Sequence, residues 1–298
     1  MIARPSKAFL QFAFLVTFWG TTWIIITLQL GVVNPSWSVT YRFLIGFTTL
    51  LLWSLWKGLP LRIPRQGYGF VAAVGIGQFM LNFNFVYRAE SMIPSGLVAV
   101  AYALLVPANA LLAYLFLKRK ASMRLILGSI LGIFGTALMF LHEARGAMNG
   151  MALVGIGLTL CGVLSASTVN VMQASRLGQT LPPFGILVWG MAVGVIANAI
   201  FAWIVAGPPQ WDARPQYILA LLMLGVVASA IAFALYFDLI RNIGPAEAAW
   251  TSVLIPIVAM AISTVFEGYR WSPESIVGAI LAFCGVTIAL SRPKSAAR

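Results

Sequence analysis

The sequence predicts an all-α polytopic membrane protein of ten transmembrane helices arranged as two inverted five-helix repeats. Three observations carry that expectation. Hydrophobic residues make up 61% of the 298 residues and charged residues only 9%, too few to coat a water-soluble fold, in which roughly a quarter of residues are charged. The apolar residues gather into stretches of about 20, the length that crosses a roughly 30 Å hydrocarbon core at 1.5 Å per residue. The chain also resembles itself at an offset of about 150 residues.

Apolar windows and helix-breaking residues place the spans at 8–28, 36–56, 67–87, 95–117, 124–141, 150–173, 183–206, 216–240, 246–266 and 274–291. Arg4 and Lys7 precede the first in the manner of a signal peptide. The apolar run continues through Trp19, Trp23 and Ile24 to Ile26 without a small-x-small cleavage site, so an uncleaved helix is expected. Asn34-Pro35 opens the second span, Ile63-Pro64 leads to the third, and Ile93-Pro94 separates the third from the fourth. Pro182-Pro183 and Pro208-Pro209 bound the seventh, while Pro245 and Pro273 precede the ninth and tenth, since proline starts or stops helices.

The connections test this count. Even-numbered connections and the two termini hold fourteen Lys and Arg residues, including Lys57, Lys118, Arg119, Lys120 and Arg241. The odd connections hold four, Arg88, Arg145, Arg214 and Arg270. Cytoplasmic loops carry the excess of Lys and Arg, so both termini are expected in the cytoplasm, the span number is even, and a bacterial inner (plasma) membrane is the expected location. The net charge of +12 would suit nucleic acid, but short basic clusters between apolar spans exclude that partner. The expected partners are lipid and a small-molecule substrate.

Within the repeat, residues 125–135 align with 275–285, so that Gly128 and Gly135 coincide with Gly278 and Gly285. At an offset of 149, Pro107 in the fourth span meets Pro256 in the ninth. An odd number of spans per copy forces the second copy to enter from the opposite side, giving repeats at 1–145 and 146–298. Such inverted pairs underlie alternating access in many transporters, with the substrate near the midplane. Gly128-xxx-Gly132, Gly278-xxx-Ala282 and Gly190-xxx-Gly194 allow close helix approach, within one bundle or between two subunits. A monomer is expected, with a dimer left open.

In the Trp19-Gly20 pair, the Tyr41-Arg42-Phe43-Leu44 run, Pro107, Pro256 and the paired glycines, the chain resembles the drug/metabolite transporter superfamily and, within it, the ten-span EamA family, over residues 8 to 291. The resemblance implies a pseudo-symmetric bundle in which spans 1 to 4 and 6 to 9 surround a central cavity while 5 and 10 pack outside. It also implies export of metabolites, with the YddG-type amino acid exporters similar in architecture.

The polar residues at membrane depth are the functional candidates, because ionisable groups there are costly. Arg42 is the one charge well inside a span; snorkelling towards water, pairing with a loop carboxylate and contact with a substrate carboxylate are all open to it. Asp238 and Arg241 lie one helical turn apart and read as an inner gate or a helix-end pair, and Glu247 reads as a helix cap. No carboxylate falls near the middle of a span, which disfavours obligatory proton exchange for cationic drugs. Gln78 and Asn82 share a face of the third span, as Ser165 and Thr168 do on the sixth. The predicted cavity is lined by Trp19, Gln78, Asn82, Tyr102, Ser165, Tyr236 and Trp250, with Arg42, Pro107, Asp238 and Pro256 as gates or hinges. Aromatic walls with a few amides and hydroxyls suit a zwitterion bearing an apolar side chain. Catalysis is not expected, because the single histidine, His142, falls in a predicted outer loop and no phosphate loop, paired acids or metal cluster is present. No metal or other cofactor is implied.

Overall fold

The computed structural model describes residues 7–146, 150–243 and 251–290. Trp250, Pro245 and Glu247 lie outside the described residues, as does the Arg241 side chain. The chain is helical, with no strand among the described residues. The principal helices are α1 (Lys7–Thr27), α2 (Pro35–Trp56), α3 (Arg65–Glu90), α4 (Ser95–Leu117), α5 (Met123–Gly146), α6 (Met151–Gln173), α7 (Pro183–Ala206), α8 (Pro215–Tyr236), α9 (Thr251–Phe266) and α10 (Pro273–Leu290). Among the described residues nine are long and apolar enough to cross a bilayer, and the described part of α9 is a shorter apolar helix.

Local chemistry sets the ends. The Asn34 side chain accepts from the Ser36 N–H at 3.0 Å, and Pro35 supplies the first helical position of α2, where a missing N–H costs nothing. Prolines likewise open α7 and α8. Lys118 ends α4 in the left-handed region, φ 54°, and Gly207 follows α7 at φ 72°. Three helices run past their expected ends, α3 by continuing beyond Tyr87 to Glu90. The α5 helix continues through His142 to Gly146, so His142 is helical, not in a loop, because nothing in His142-Glu143-Ala144-Arg145 breaks a helix. The helical course of α8 likewise continues through Arg241 to Ile243.

Helices α3 and α8 share an irregularity that spacing alone does not reveal. Gly75–Asn82 in α3 and Met223–Ile231 in α8 are wound as π-helix, a form rare elsewhere and frequent at functional sites. Each π segment packs on a helix of the other half of the chain. A Cβ at Gly75 would sit 2.5 Å from the Gly190 carbonyl oxygen of α7, and one at Gly225 would sit 2.7 Å from Ile45 of α2. The α3–α7 and α8–α2 crossings are therefore counterparts in the two halves of the chain. Helices α5 and α10 pair outside this core through Gly128, Gly135, Gly278 and Gly285, where an added Cβ would come within 3.0 Å of the opposing backbone. The small-residue grooves thus join helices of one chain.

A polar network crosses α2, α3 and α7 near the ends opposite the termini. Asn84 donates to Asn198 Oδ1 at 2.6 Å and accepts from Ser36 Oγ at 2.7 Å and Arg88 at 2.7 Å, while Asn198 donates to the Phe79 carbonyl at 2.8 Å. Asn198→Leu would strand these groups where water is scarce, at a cost of roughly 1–3 kcal/mol. A lowered thermal midpoint in detergent, with flux retained at low temperature, is the expected result. In the connection before α8, Arg214 bonds Asp212 at 2.7 Å and holds its carboxyl below the usual carboxylate range. The folded value lies below the unfolded one of about 4, so this pair contributes fully above it and fades as pH falls through the folded value.

Candidate functional site

A cavity of about 290 Å3 lies inside the bundle. Its walls come from α1 (Trp19, Thr22, Trp23), α2 (Arg42), α3 (Gln78, Asn82, Phe83), α4 (Tyr102), α6 (Asn170), α8 (Phe233) and α9 (Ser252, Pro256), among other residues. A second chamber of about 300 Å3 shares Gln78, Asn170 and Phe233 with the first and continues past Gln173, Pro183 and Tyr236. Those three residues lie where α6 ends, α7 begins and α8 nears its end, on the side of the bundle from which α1 starts. Eight helices, α1 to α4 and α6 to α9, wall the two chambers, while α5 and α10 contribute to neither.

Aromatic side chains shape the interior. Trp19 stands 5.6 Å from Phe233 and 5.3 Å from Tyr236 between ring centroids, and its indole N–H donates to the Ala228 carbonyl at 3.2 Å. That carbonyl belongs to the α8 π segment, whose winding turns it towards α1. Trp23 packs against Tyr102 at 5.2 Å, and the Tyr102 hydroxyl donates to the Asn82 carboxamide oxygen. Gly162 of α6 admits this contact, since a Cβ there would lie 2.9 Å from the Tyr102 hydroxyl.

Arg42 closes the cavity on the side away from the termini. Only 4% exposed, it reaches Ser229 Oγ at 3.3 Å and the Tyr87 hydroxyl at 3.4 Å, both long bonds. Its guanidinium carbon lies 4.6 Å from the Phe83 ring centroid and 5.3 Å from that of Phe43, within cation–π range. The ion pairs among the described residues are Lys7–Asp238 and Arg214–Asp212. Arg42 thus neither snorkels to water nor meets a loop carboxylate among the described residues; it is held by aromatic faces on the wall of a cavity. Beyond it, Tyr87 donates to Gln29 Oε1 at 2.7 Å, and both are fully buried, sealing this side.

Of the residues singled out from the sequence, Trp19, Gln78, Asn82 and Tyr102 line the first chamber, with Arg42 and Pro256, and Tyr236 lines the second. Ser165 does not reach the cavity, because its hydroxyl donates to the Gly77 carbonyl of the α3 π segment at 2.8 Å. Thr168 is exposed and bonds the Leu164 carbonyl of its own helix. Pro107 faces outwards, on a groove of about 870 Å3 between α4, α5 and α6 lined mainly by apolar residues such as Leu111, Leu125 and Ile130. Larger than the central cavity, this groove presents the surface that acyl chains cover, with little to orient a polar ligand. Asp238 accepts from Lys7 at 2.9 Å and Gln11 at 2.7 Å, tying α8 to α1. Asn170 and Phe233, which line both chambers, escaped the sequence reading. Asn170 lies four residues after Ala166, another wall residue, and that helical spacing was the available signal.

The EamA-like transporter family model matches the chain twice, over residues 6–141 and 153–291. Protein PagO of Salmonella typhimurium is 22% identical, covering 91% of this chain and 89% of its own length. A probable amino-acid metabolite efflux pump of the same organism is 25% identical, covering 92% and 91%. A solved crystal structure superposes with a TM-score of 0.67 at 20% identity over 96% of this chain and 97% of that one, a likeness of fold.

Proposed function

The chain belongs to the EamA-like transporter family, and from that membership we propose that it exports amino acids with apolar or aromatic side chains by alternating access around the central cavity. The single observation that carries this reading is Arg42, a buried guanidinium with no carboxylate partner among the described residues, on the wall of an aromatic-lined chamber. A substrate carboxylate supplies the missing partner, and guanidinium–carboxylate pairs are bidentate and strong. The carboxamide oxygens of Gln78 and Asn82 suit the ammonium group, and Trp19, Trp23 and Phe233 suit an apolar side chain.

The two repeats, 1–145 and 146–298, rock about the cavity, with the termini in the cytoplasm of a bacterial cell and the chain acting as a monomer in the inner membrane. The sealed side near Arg42 and the chamber reaching the termini side support a conformation that receives substrate from the cytoplasm. In proteoliposomes, labelled aromatic and aliphatic amino acids are expected to cross saturably, and Gln78→Ala to lose most of that flux. Flux of drugs or other metabolites with none of any amino acid would replace the substrate class and leave the transporter.

A further inference from the structure

On the sealed side of the cavity sit two carboxylates in opposite circumstances. Glu267, just past the end of α9, accepts from the Ser95 backbone N–H at 3.2 Å, from Ser95 Oγ at 2.8 Å and from Ser263 Oγ. These three donors satisfy its carboxyl group. Glu90, the last residue of α3, is 7% exposed, and neither of its carboxyl oxygens has a hydrogen-bond partner among the described residues. An ionised carboxylate buried without donors is among the costliest groups a protein can hold.

The charged and titratable groups that act on Glu90 come from several helices. Arg42 of α2 and Glu267 exert opposing fields on it, and a charge on it would act on Tyr102 of α4 and Tyr87 of α3. Helix α6, which also packs on this end of α3, carries no charged residue. Neither Arg42 nor Glu267 gives the Glu90 carboxyl a hydrogen bond, so a negative charge there would lack the donors that Glu267 has. Glu90 lies one helical turn beyond Tyr87 on α3, and Tyr87 makes the Gln29 contact that closes this side of the cavity.

Resting on the alternating-access reading above, we propose that Glu90 is the proton-binding residue of the outer gate, carrying its proton while the gate is shut and releasing it to outer water when the gate opens. The sequence places Glu90 in a connection; in the structure it is a buried helix end. Closing the gate then requires one proton from the outer side, and opening returns it. Acid on that side favours the shut gate, and a rise in outer pH favours the open one.

Infrared spectra of the purified full chain test this without any substrate. A carbonyl-stretch band of a neutral carboxylic acid is expected at neutral pH, lost in Glu90→Gln and kept in Glu267→Gln. In proteoliposomes, amino acid export is expected to rise with outer pH by up to about tenfold per unit, and to become nearly flat in Glu90→Gln. Should Glu90→Gln fail to fold, Glu90→Asp serves, because it should shift the band without removing it. A band that persists in Glu90→Gln, ignores Glu90→Asp or vanishes in Glu267→Gln overturns the proposal, as does an unchanged pH profile in folded Glu90→Gln. If the band behaves as expected and no amino acid crosses, the substrate reading alone fails.

Discussion

Replacing Arg42 by alanine is expected to reduce amino acid flux by about a hundredfold or more while leaving the protein folded. Hydrogen bonds to charged groups contribute roughly 1.5–3 kcal/mol each, and a carboxylate that loses two of them inside a dry cavity loses its binding. The fold should tolerate the change, because Arg42 holds no ionic partner among the described residues and its bonds to Ser229 and Tyr87 are long. Arg42→Lys should recover only part of the flux, since an ammonium is a point charge that cannot offer the planar pair of donors. Decarboxylated amines separate recognition from gating. If Arg42 binds the substrate carboxylate, wild type and Arg42→Ala should carry such amines at similar rates. If Arg42 acts only on the gate, the variant should lose both cargoes alike.

What the sequence disclosed and what it hid follow from the range of the interactions involved. Span lengths and the basic loops are local properties of a chain in lipid, and the helices begin where Asn34-Pro35, Pro183 and Pro273 announce them. The paired glycines at 128, 135, 278 and 285 were legible because close backbone approach admits no other side chain. Helix faces also carried much of the cavity, since Gln78 and Asn82 or Trp19 and Trp23 share a face at simple helical spacing. That reasoning broke down where the winding changes. Ser165 lies on the expected helix but spends its hydroxyl on the Gly77 carbonyl of the α3 π segment, and no periodicity rule anticipates a π segment. Glu90 was hidden for a different reason. A carboxylate at a helix end reads as a loop residue until the packing around it is known.

The α5–α10 seam offers the sharpest structural prediction. A Cβ on Gly135 would come within 3.0 Å of the Ala282 backbone nitrogen and the Gly278 carbonyl oxygen, and one on Gly128 would meet the backbone at Gly285 and Ala289 equally closely. These obstacles are main-chain atoms in helices, so no rotamer change relieves them and the helices must part. In a bilayer, such contacts are the principal force between helices, since lipid is as apolar as leucine. Gly135→Leu is therefore expected to exceed the roughly 1–3 kcal/mol typical of an overpacked core, yielding little monodisperse protein and a markedly lowered melting midpoint. Gly132→Ala is the matched control, because a Cβ there has nothing within 4 Å, and it should behave as wild type. The pair also separates one use of the stripe from another. Were these glycines to join two copies of the chain, Gly135→Leu would leave a well-folded monomer of unchanged melting midpoint. Because each lies against the opposing backbone within the same chain, the loss should fall on folding itself, independent of protein concentration.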